Sequence, residues 1–373
     1  MSSGRISQIQ LMALGASYLM GTIVVSSFVS SVLGTESWMA GITGAICFLP
    51  SVLIYCALTK KYPGKGLFQM NEAVFGSAVG RVLSMLYLLF FISMCALNIL
   101  EATNFLSYFI MPKTPMITIA LTIALGCIYC VKNGITPLAR IAPIFGIVSV
   151  ASVLFNSLTS LSNADANFLL PLFDHQLLDY VQATHVSTSI PYGESIVLLM
   201  LIPDLGQKAN IIKSYLAVIA FTAFIMILVH VRETISLGPM VSFPALPSYE
   251  VVRMINISNI LTRTESLYAL VLVSLTFFKT LILFYTCLSG ITQIFRLDSY
   301  RHIVIMFAAF LVKYSINAYG APSNNIYWGK NVSPFIWTFF TGILPLLTLV
   351  SSLIKTLFQK IRKKAGNEAS QSW

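Results

Sequence analysis

Long apolar runs follow one another along the chain, with short polar connections between them. A window of about 19 residues gives ten runs, at approximately 9–33, 38–58, 82–110, 115–131, 138–161, 185–203, 210–236, 264–295, 300–318 and 333–357. Each approaches or exceeds the length that an α-helix needs to cross a hydrocarbon layer. The third and eighth are long and are expected to tilt. Between the second and third, residues 64–80 carry Leu67, Phe68, Val74 and Phe75, apolar pairs one heptad apart. They read either as a short helix lying in the interface or as a loop packed beneath the bundle. Residues 162–184 hold Asp165, Asp174 and Asp179 and no Lys or Arg, as an outer loop. Residues 239–262 form a second one, kept irregular by Pro239, Pro244 and Pro247.

Five runs precede residue 162 and five follow it. The first run of each half is interrupted by residues that suit a helix poorly. One contains Gly15, Ser17, Tyr18, Gly21 and Thr22; the other contains Ser189–Ser195, with Pro191 and Gly193. Proline removes a backbone donor and restricts its neighbour, and glycine loosens a helix. Interrupted helices at matching positions in two halves point to an inverted-repeat transporter, with its site at the paired interruptions.

Composition agrees. Of 373 residues, 57% are hydrophobic and 10% charged, against about 25% charged in soluble domains. The reading is an all-α polytopic membrane protein, one integral membrane domain over 1–373. Its first repeat is about 9–161, its second about 185–357, and 358–373 form a basic tail. The first run is too long for a cleaved leader and lacks a small-residue cleavage site, so it is expected to stay as span 1. The net charge of +10 is dispersed between apolar runs, which suits topology rather than nucleic-acid binding. One set of connections and the tail hold Arg5, Lys60, Lys61, Lys65, Arg81, Lys132, Arg140, Lys208, Lys213, Arg296, Arg301 and five tail residues from Lys355 to Lys364. The other set holds Lys113, Arg232, Arg253, Arg263, Lys313 and Lys330. This asymmetry, 16 against 6, places both termini in the cytoplasm.

Glu194 is a carboxylate within an apolar run, and such a residue is a functional-site hypothesis by default. The alternative has it at the membrane surface, capping a first turn. If both first spans break at mid-depth, helix N-termini there attract an anion and free carbonyls attract a cation. A free amino acid carries both groups. Gly21 allows close backbone approach, Thr22 and Ser195 offer hydroxyls, and Tyr18, Tyr192 and Gly193 flank the breaks. Glu194 is placed to hold an ammonium or to carry a coupling proton. Asn98 and Glu101 are one turn apart on span 3 and share a face; Glu101 reads equally as an outer-surface residue. Lys279 sits near the centre of span 8, where a lysine costs about 2.5–3.5 kcal/mol on insertion scales. It requires oxygen ligands: Glu194, Glu101, or carbonyls and hydroxyls near Tyr18–Thr22. Snorkelling is the remaining alternative.

Nothing in the sequence reads as an enzyme. There is no Gly-x-Ser-x-Gly, Walker or His-Glu-x-x-His motif, and no loop long enough for a nucleotide-binding domain. The six cysteines lie in apolar runs, so Cys127 and Cys130 are expected to be packed thiols rather than a redox or metal pair. The four histidines have no metal-ligand spacing. No cofactor and no metal are expected.

The order of several short motifs resembles the B subunits of bacterial spore germinant receptors, the GerAB-type spore germination permeases of the amino acid–polyamine–organocation superfamily. Leu67-Phe68 followed by Gly76 and Gly80 is similar to their segment after span 2, and Lys113-Thr114-Pro115 to their turn after span 3. Gly134, Arg140 and Pro143 resemble their entry to span 5. Pro191-Tyr192-Gly193-Glu194 with Pro203 resembles their span 6, and Phe243-Pro244 with Arg263-Thr264-Glu265 their approach to span 8. Many members have Gly-x-Gly in span 1, where this chain has Gly21-Thr22-Ile23. The resemblance implies a LeuT-like 5+5 inverted repeat with spans 1 and 6 broken. It implies a bacterial cell or spore inner-membrane protein that senses a small nutrient, typically an amino acid. The partners it implies are an A-type membrane subunit and a C-type lipoprotein. A proton-coupled amino acid permease is the alternative. In some superfamily transporters an internal amine takes the place of bound sodium, a role Lys279 would fit.

Overall fold

The computed structural model of the chain describes residues 6–22, 26–206, 209–254, 264–318 and 322–371. Arg5, Ile23, Lys208 and Arg263, named above, lie outside the described residues. The described parts of all ten apolar runs are helical. Among the described residues, seven stretches are long and apolar enough to cross a membrane, and two shorter apolar helices, Met116–Val131 and Val304–Asn317, join them. One of the seven, Ser27–Lys61, holds both the end of span 1 and all of span 2. Gly34, at φ +50°, turns the chain between them.

Span 1 is built in two pieces, Gln8–Met20 and Ser27–Leu33. A reciprocal cap starts the first piece: the Ser7 hydroxyl accepts from the Gln10 amide, and the Gln10 side chain accepts from the Ser7 amide. Span 2 is Ser37–Lys61 and span 4 Met116–Val131; span 5 is Ile135–Ser160, with Pro143 inside it. Span 7 is Ile211–Leu237, span 8 Thr264–Phe295, span 9 Val304–Ala318, and span 10 begins at Ser333 and runs into Leu344–Gln371. At 32 residues, span 8 is about 48 Å long, which exceeds a bilayer core and requires tilt or protrusion.

The stretch Leu67–Phe105 is two helices that meet at a kink at Gly76, whose φ of 82° and ψ of 175° are not helical; the second is span 3. The piece before the kink is the segment that read as either an interfacial helix or a packed loop. It is a helix, and it is packed: Leu67, Phe68, Met70 and Asn71 are buried. The Lys355 ammonium donates to the Ala73 and Val74 carbonyls at 2.9 and 3.3 Å, a cation at a helix C-terminus.

Span 6 changes winding along its length. An α-helix over Leu177–Ser187 gives way to a wide π turn over Thr188–Tyr192, then to a 3-10 helix over Gly193–Asp204. The interruption is therefore a change of pitch at Gly193 rather than an extended gap. Runs of 3-10 helix beyond three or four residues are uncommon; this one has 12 residues. Of the seven long stretches span 6 is the most enclosed, with 89% of its apolar window buried, so packing holds the strained winding in place.

Two connections differ from expectation. The outer loop after span 5 is shorter than 162–184, because Leu177–Ser187 starts eight residues early on a reciprocal Gln176–Asp179 cap. The loop after span 7 is not irregular throughout: Pro247 opens a helix, Pro247–Arg253, as proline does at a first helical position.

Spans 2 and 7 pack along one another, as do spans 3 and 8, and spans 4 and 9; span 1 meets span 6. Each of the first four spans thus lies against the span five places later, as two interleaved halves require. At the end of the bundle nearest the N-terminus, Ile6 pairs with Leu205: its amide donates to the Asp204 carbonyl at 2.8 Å and its carbonyl accepts from Gly206 at 3.0 Å.

Candidate functional site

The helix Gln8–Met20 ends where the Gly21 amide donates back to the Tyr18 and Leu19 carbonyls. Its hydroxyl neighbour Thr22 donates to the Leu19 carbonyl at 2.6 Å. A methyl group on Gly21 would lie 2.9 Å from Lys279 Cβ and 3.1 Å from its Cδ. The absence of a side chain at Gly21 is therefore what lets the Lys279 stem cross span 1. The ammonium passes 5.7 Å from the Tyr18 ring centre and reaches Glu194 Oε2 at 2.7 Å. Lysine and glutamate are each 4% exposed. Glu194 is thus one of the oxygen ligands of Lys279. The helix C-terminus at Tyr18–Met20 is adjacent and adds a favourable partial negative charge.

Glu194 and Lys279 lie in the wall of a cavity of about 30 Å³, shared with Thr22, Asn98, Glu101 and Trp337. Five of the residues singled out in the sequence thus meet at one place: Thr22, Asn98, Glu101, Glu194 and Lys279. Asn98 is anchored to span 8, its amide donating to the Thr276 carbonyl at 2.9 Å and the Thr280 hydroxyl at 2.6 Å. Glu101 is half-buried at the cavity edge, not on the outer surface alone.

The other candidates flank the cavity without lining it. Tyr192 donates to the Gly41 carbonyl at 2.7 Å and packs on span 2. Gly193 is a contact point with span 10, since a methyl group there would sit 2.9 Å from Thr341 Oγ1. Ser195 is buried, and its carbonyl accepts from Tyr215 at 3.3 Å. Tyr18 is fully buried beneath Lys279.

Aromatic walls were not legible. Phe28, Trp328 and Trp337 line the cavity, and the two indoles meet edge to face at 5.8 Å. Tryptophan is common at membrane interfaces, so nothing in their spacing marked them.

A second buried charge cluster requires a correction. Arg232, which the sequence pattern places in an outer connection, lies inside span 7 and is 2% exposed, with Glu233 and His230 fully buried. Its guanidinium donates to the Ser248 hydroxyl at 2.7 Å, and Ser248 donates to Glu233. Glu233 also accepts from Ser26 at 3.2 Å and lies 3.5 Å from His230 Nδ1. The adjacent Arg-Glu pair inside an apolar run was the available signal. Lys313, assigned to the same set of connections, likewise lies within the span 9 helix.

A family profile described as "Spore germination protein" matches residues 5–319. Among curated proteins, Spore germination protein KB of Bacillus subtilis strain 168 is 22% identical over all of both chains. Spore germination protein YndE of the same organism is 21% identical over 85% of this chain and 87% of its own length. Among solved structures, MHP1, a nucleobase-cation-symport-1 family transporter in a closed conformation, superposes with a TM-score of 0.68 at 11% identity, covering 94% of this chain and 80% of that one. A sodium-coupled sialic acid symporter superposes with a TM-score of 0.59 at 10% identity, covering 89% and 79%. The fold is that of LeuT-type transporters.

Proposed function

The chain belongs to the spore germination protein family, and from that premise we propose that it is the B-type subunit of a spore nutrient receptor. It binds a small zwitterionic nutrient, an amino acid, at mid-membrane. The observation that carries this reading is the Glu194–Lys279 ion pair, 2.7 Å long and buried in the cavity where spans 1, 3, 6, 8 and 10 meet. An amino acid carries the same two charges as the pair. Its ammonium would take Glu194 and its carboxylate Lys279, so neither buried charge is left without a partner as the pair opens. Trp328, Trp337 and Phe28 would meet the side chain.

The cavity of about 30 Å³ holds about two water molecules, so binding requires it to widen. A ligand shifts a receptor only by its differential affinity for two states; here the states are the paired, closed site and the opened one. The resulting movement would pass to an A-type membrane subunit, with a C-type lipoprotein completing the receptor in the spore inner membrane. Lys279 would stand where related transporters hold sodium, making the response independent of sodium. No catalytic step is part of this role.

The experiment is a germination dose-response in spores carrying Glu194→Gln at normal protein level. A response shifted to at least tenfold higher nutrient supports the reading; an unchanged response overturns it. The second reading, a proton-coupled amino acid permease, draws on the transporter fold. Uptake of labelled amino acid into vesicles holding this chain alone would favour it.

A further inference from the structure

Spans 3, 4 and 8 enclose a groove of about 570 Å³, lined almost wholly by apolar atoms, on faces other than those that build the ligand cavity. Ala102 and Leu106 form one wall, Phe277 the second, and Thr118, Thr122 and Gly126 the third. The Thr122 hydroxyl is spent on the Thr118 carbonyl at 2.9 Å, so it asks nothing of an occupant. Gly126 closes the floor, its Cβ position 2.9 Å from the Phe277 ring. At the mouth, Met111 and Thr114 flank the exposed Lys113 in the turn between spans 3 and 4.

We propose that this groove is a phospholipid site, holding one acyl chain, with the lipid phosphate on Lys113. The dimensions select the occupant. From Thr114 to Gly126 the groove runs about 18 Å at 1.5 Å per residue. All the space between its walls, about 1100 Å³, gives over that length a mean cross-section of about 60 Å², still below the roughly 80 Å² of a helix 10 Å across. A partner helix does not enter it; a single polymethylene chain does. Acyl chains are also the solvent of this surface, and a groove lined by apolar atoms binds nothing by polarity. Selectivity therefore rests at the mouth, where a cation at headgroup level favours an anionic lipid. Span 3 carries Asn98 and Glu101 towards the ligand cavity and Ala102 and Leu106 towards the groove; span 8 does the same with Lys279 and Phe277. The lipid is thus a prop behind two walls of the ligand cavity.

The test uses the full chain in nanodiscs containing phosphatidylglycerol with a photoreactive group on its acyl chain. Adducts are expected to concentrate within 102–126 and 273–277, with phosphatidylglycerol labelling several-fold more than phosphatidylcholine. Thr122→Trp, which fills the groove, should reduce those adducts about tenfold while labelling elsewhere is unchanged. Lys113→Gln should bring the two lipids level. Adducts spread evenly over the bundle, equal labelling of the wild type by both lipids, or labelling untouched by Thr122→Trp would each overturn the proposal. Should Thr122→Trp fail to assemble, the wild-type adduct map and lipid preference still decide it.

Discussion

Lys279 and Glu194 are 85 positions apart in sequence, and each is costly in a bilayer alone. Their separate visibility follows from that cost, since a charge in an apolar run needs a reason. Their pairing was not visible, because choosing between Glu194, Glu101 and backbone carbonyls depends on how spans 1, 6 and 8 pack. The pair makes a quantitative prediction. Lys279→Ala leaves a buried carboxylate uncompensated and should cost about 3–5 kcal/mol, whereas removing both charges in Lys279→Ala with Glu194→Gln should cost less than Lys279→Ala alone. A double-mutant cycle on thermal unfolding of the purified chain measures the coupling. Additive losses would show that the two side chains do not support one another. Tyr192, Gly193 and Ser195 illustrate the limit at this scale: adjacency to Glu194 in sequence does not bring them to the cavity, because the winding turns them to spans 2, 10 and 7.

At the scale of elements, the charged cluster around Glu233 joins three pieces. Ser26 precedes the second half of span 1, Arg232 and Glu233 belong to span 7, and Ser248 to the short helix Pro247–Arg253. Ser26 is four positions beyond Thr22 in the sequence, so the cluster and the ligand cavity are joined by a short stretch of chain. Arg232→Leu is predicted to destabilise by about 3–5 kcal/mol, since the buried Glu233 loses the cation tied to it through Ser248, and Arg232→Leu with Glu233→Leu to be milder. Thermal unfolding of both variants checks this, and equal losses would sink it. The sequence made the helices of this region legible but not their ends. Span 6 starts early because a polar Gln176–Asp179 cap extends it past the apolar run, and hydropathy is blind to caps. Pro247, read as a breaker, instead opens a helix.

For the whole molecule, ten spans and a helical membrane fold were legible because spanning segments must be long, apolar and internally hydrogen-bonded. The pairing of each of the first four spans with the one five places on was legible only as matched interruptions in spans 1 and 6. An even number of spans would put both ends of the chain on one side of the membrane, and the Lys/Arg asymmetry predicts that side to be cytoplasmic. A membrane-impermeant maleimide should label Asn163→Cys in intact cells and fail to label Ser370→Cys until the membrane is opened. The reverse pattern would invert the topology.

The Ile6–Leu205 pairing has a kinetic consequence. Span 6 cannot swing away from the N-terminal segment unless the two hydrogen bonds at Ile6 and Gly206 part together, so those amides act as a clock on that parting, the gate at this end of the bundle. Their exchange with deuterated water should be slow, matched to one another, and set by the rate at which the gate opens rather than by fraying. A nutrient that holds the gate shut should slow both by the same factor, and one that drives it open should speed both. Unequal rates at Ile6 and Gly206 would mean that the N-terminal segment peels away without the gate.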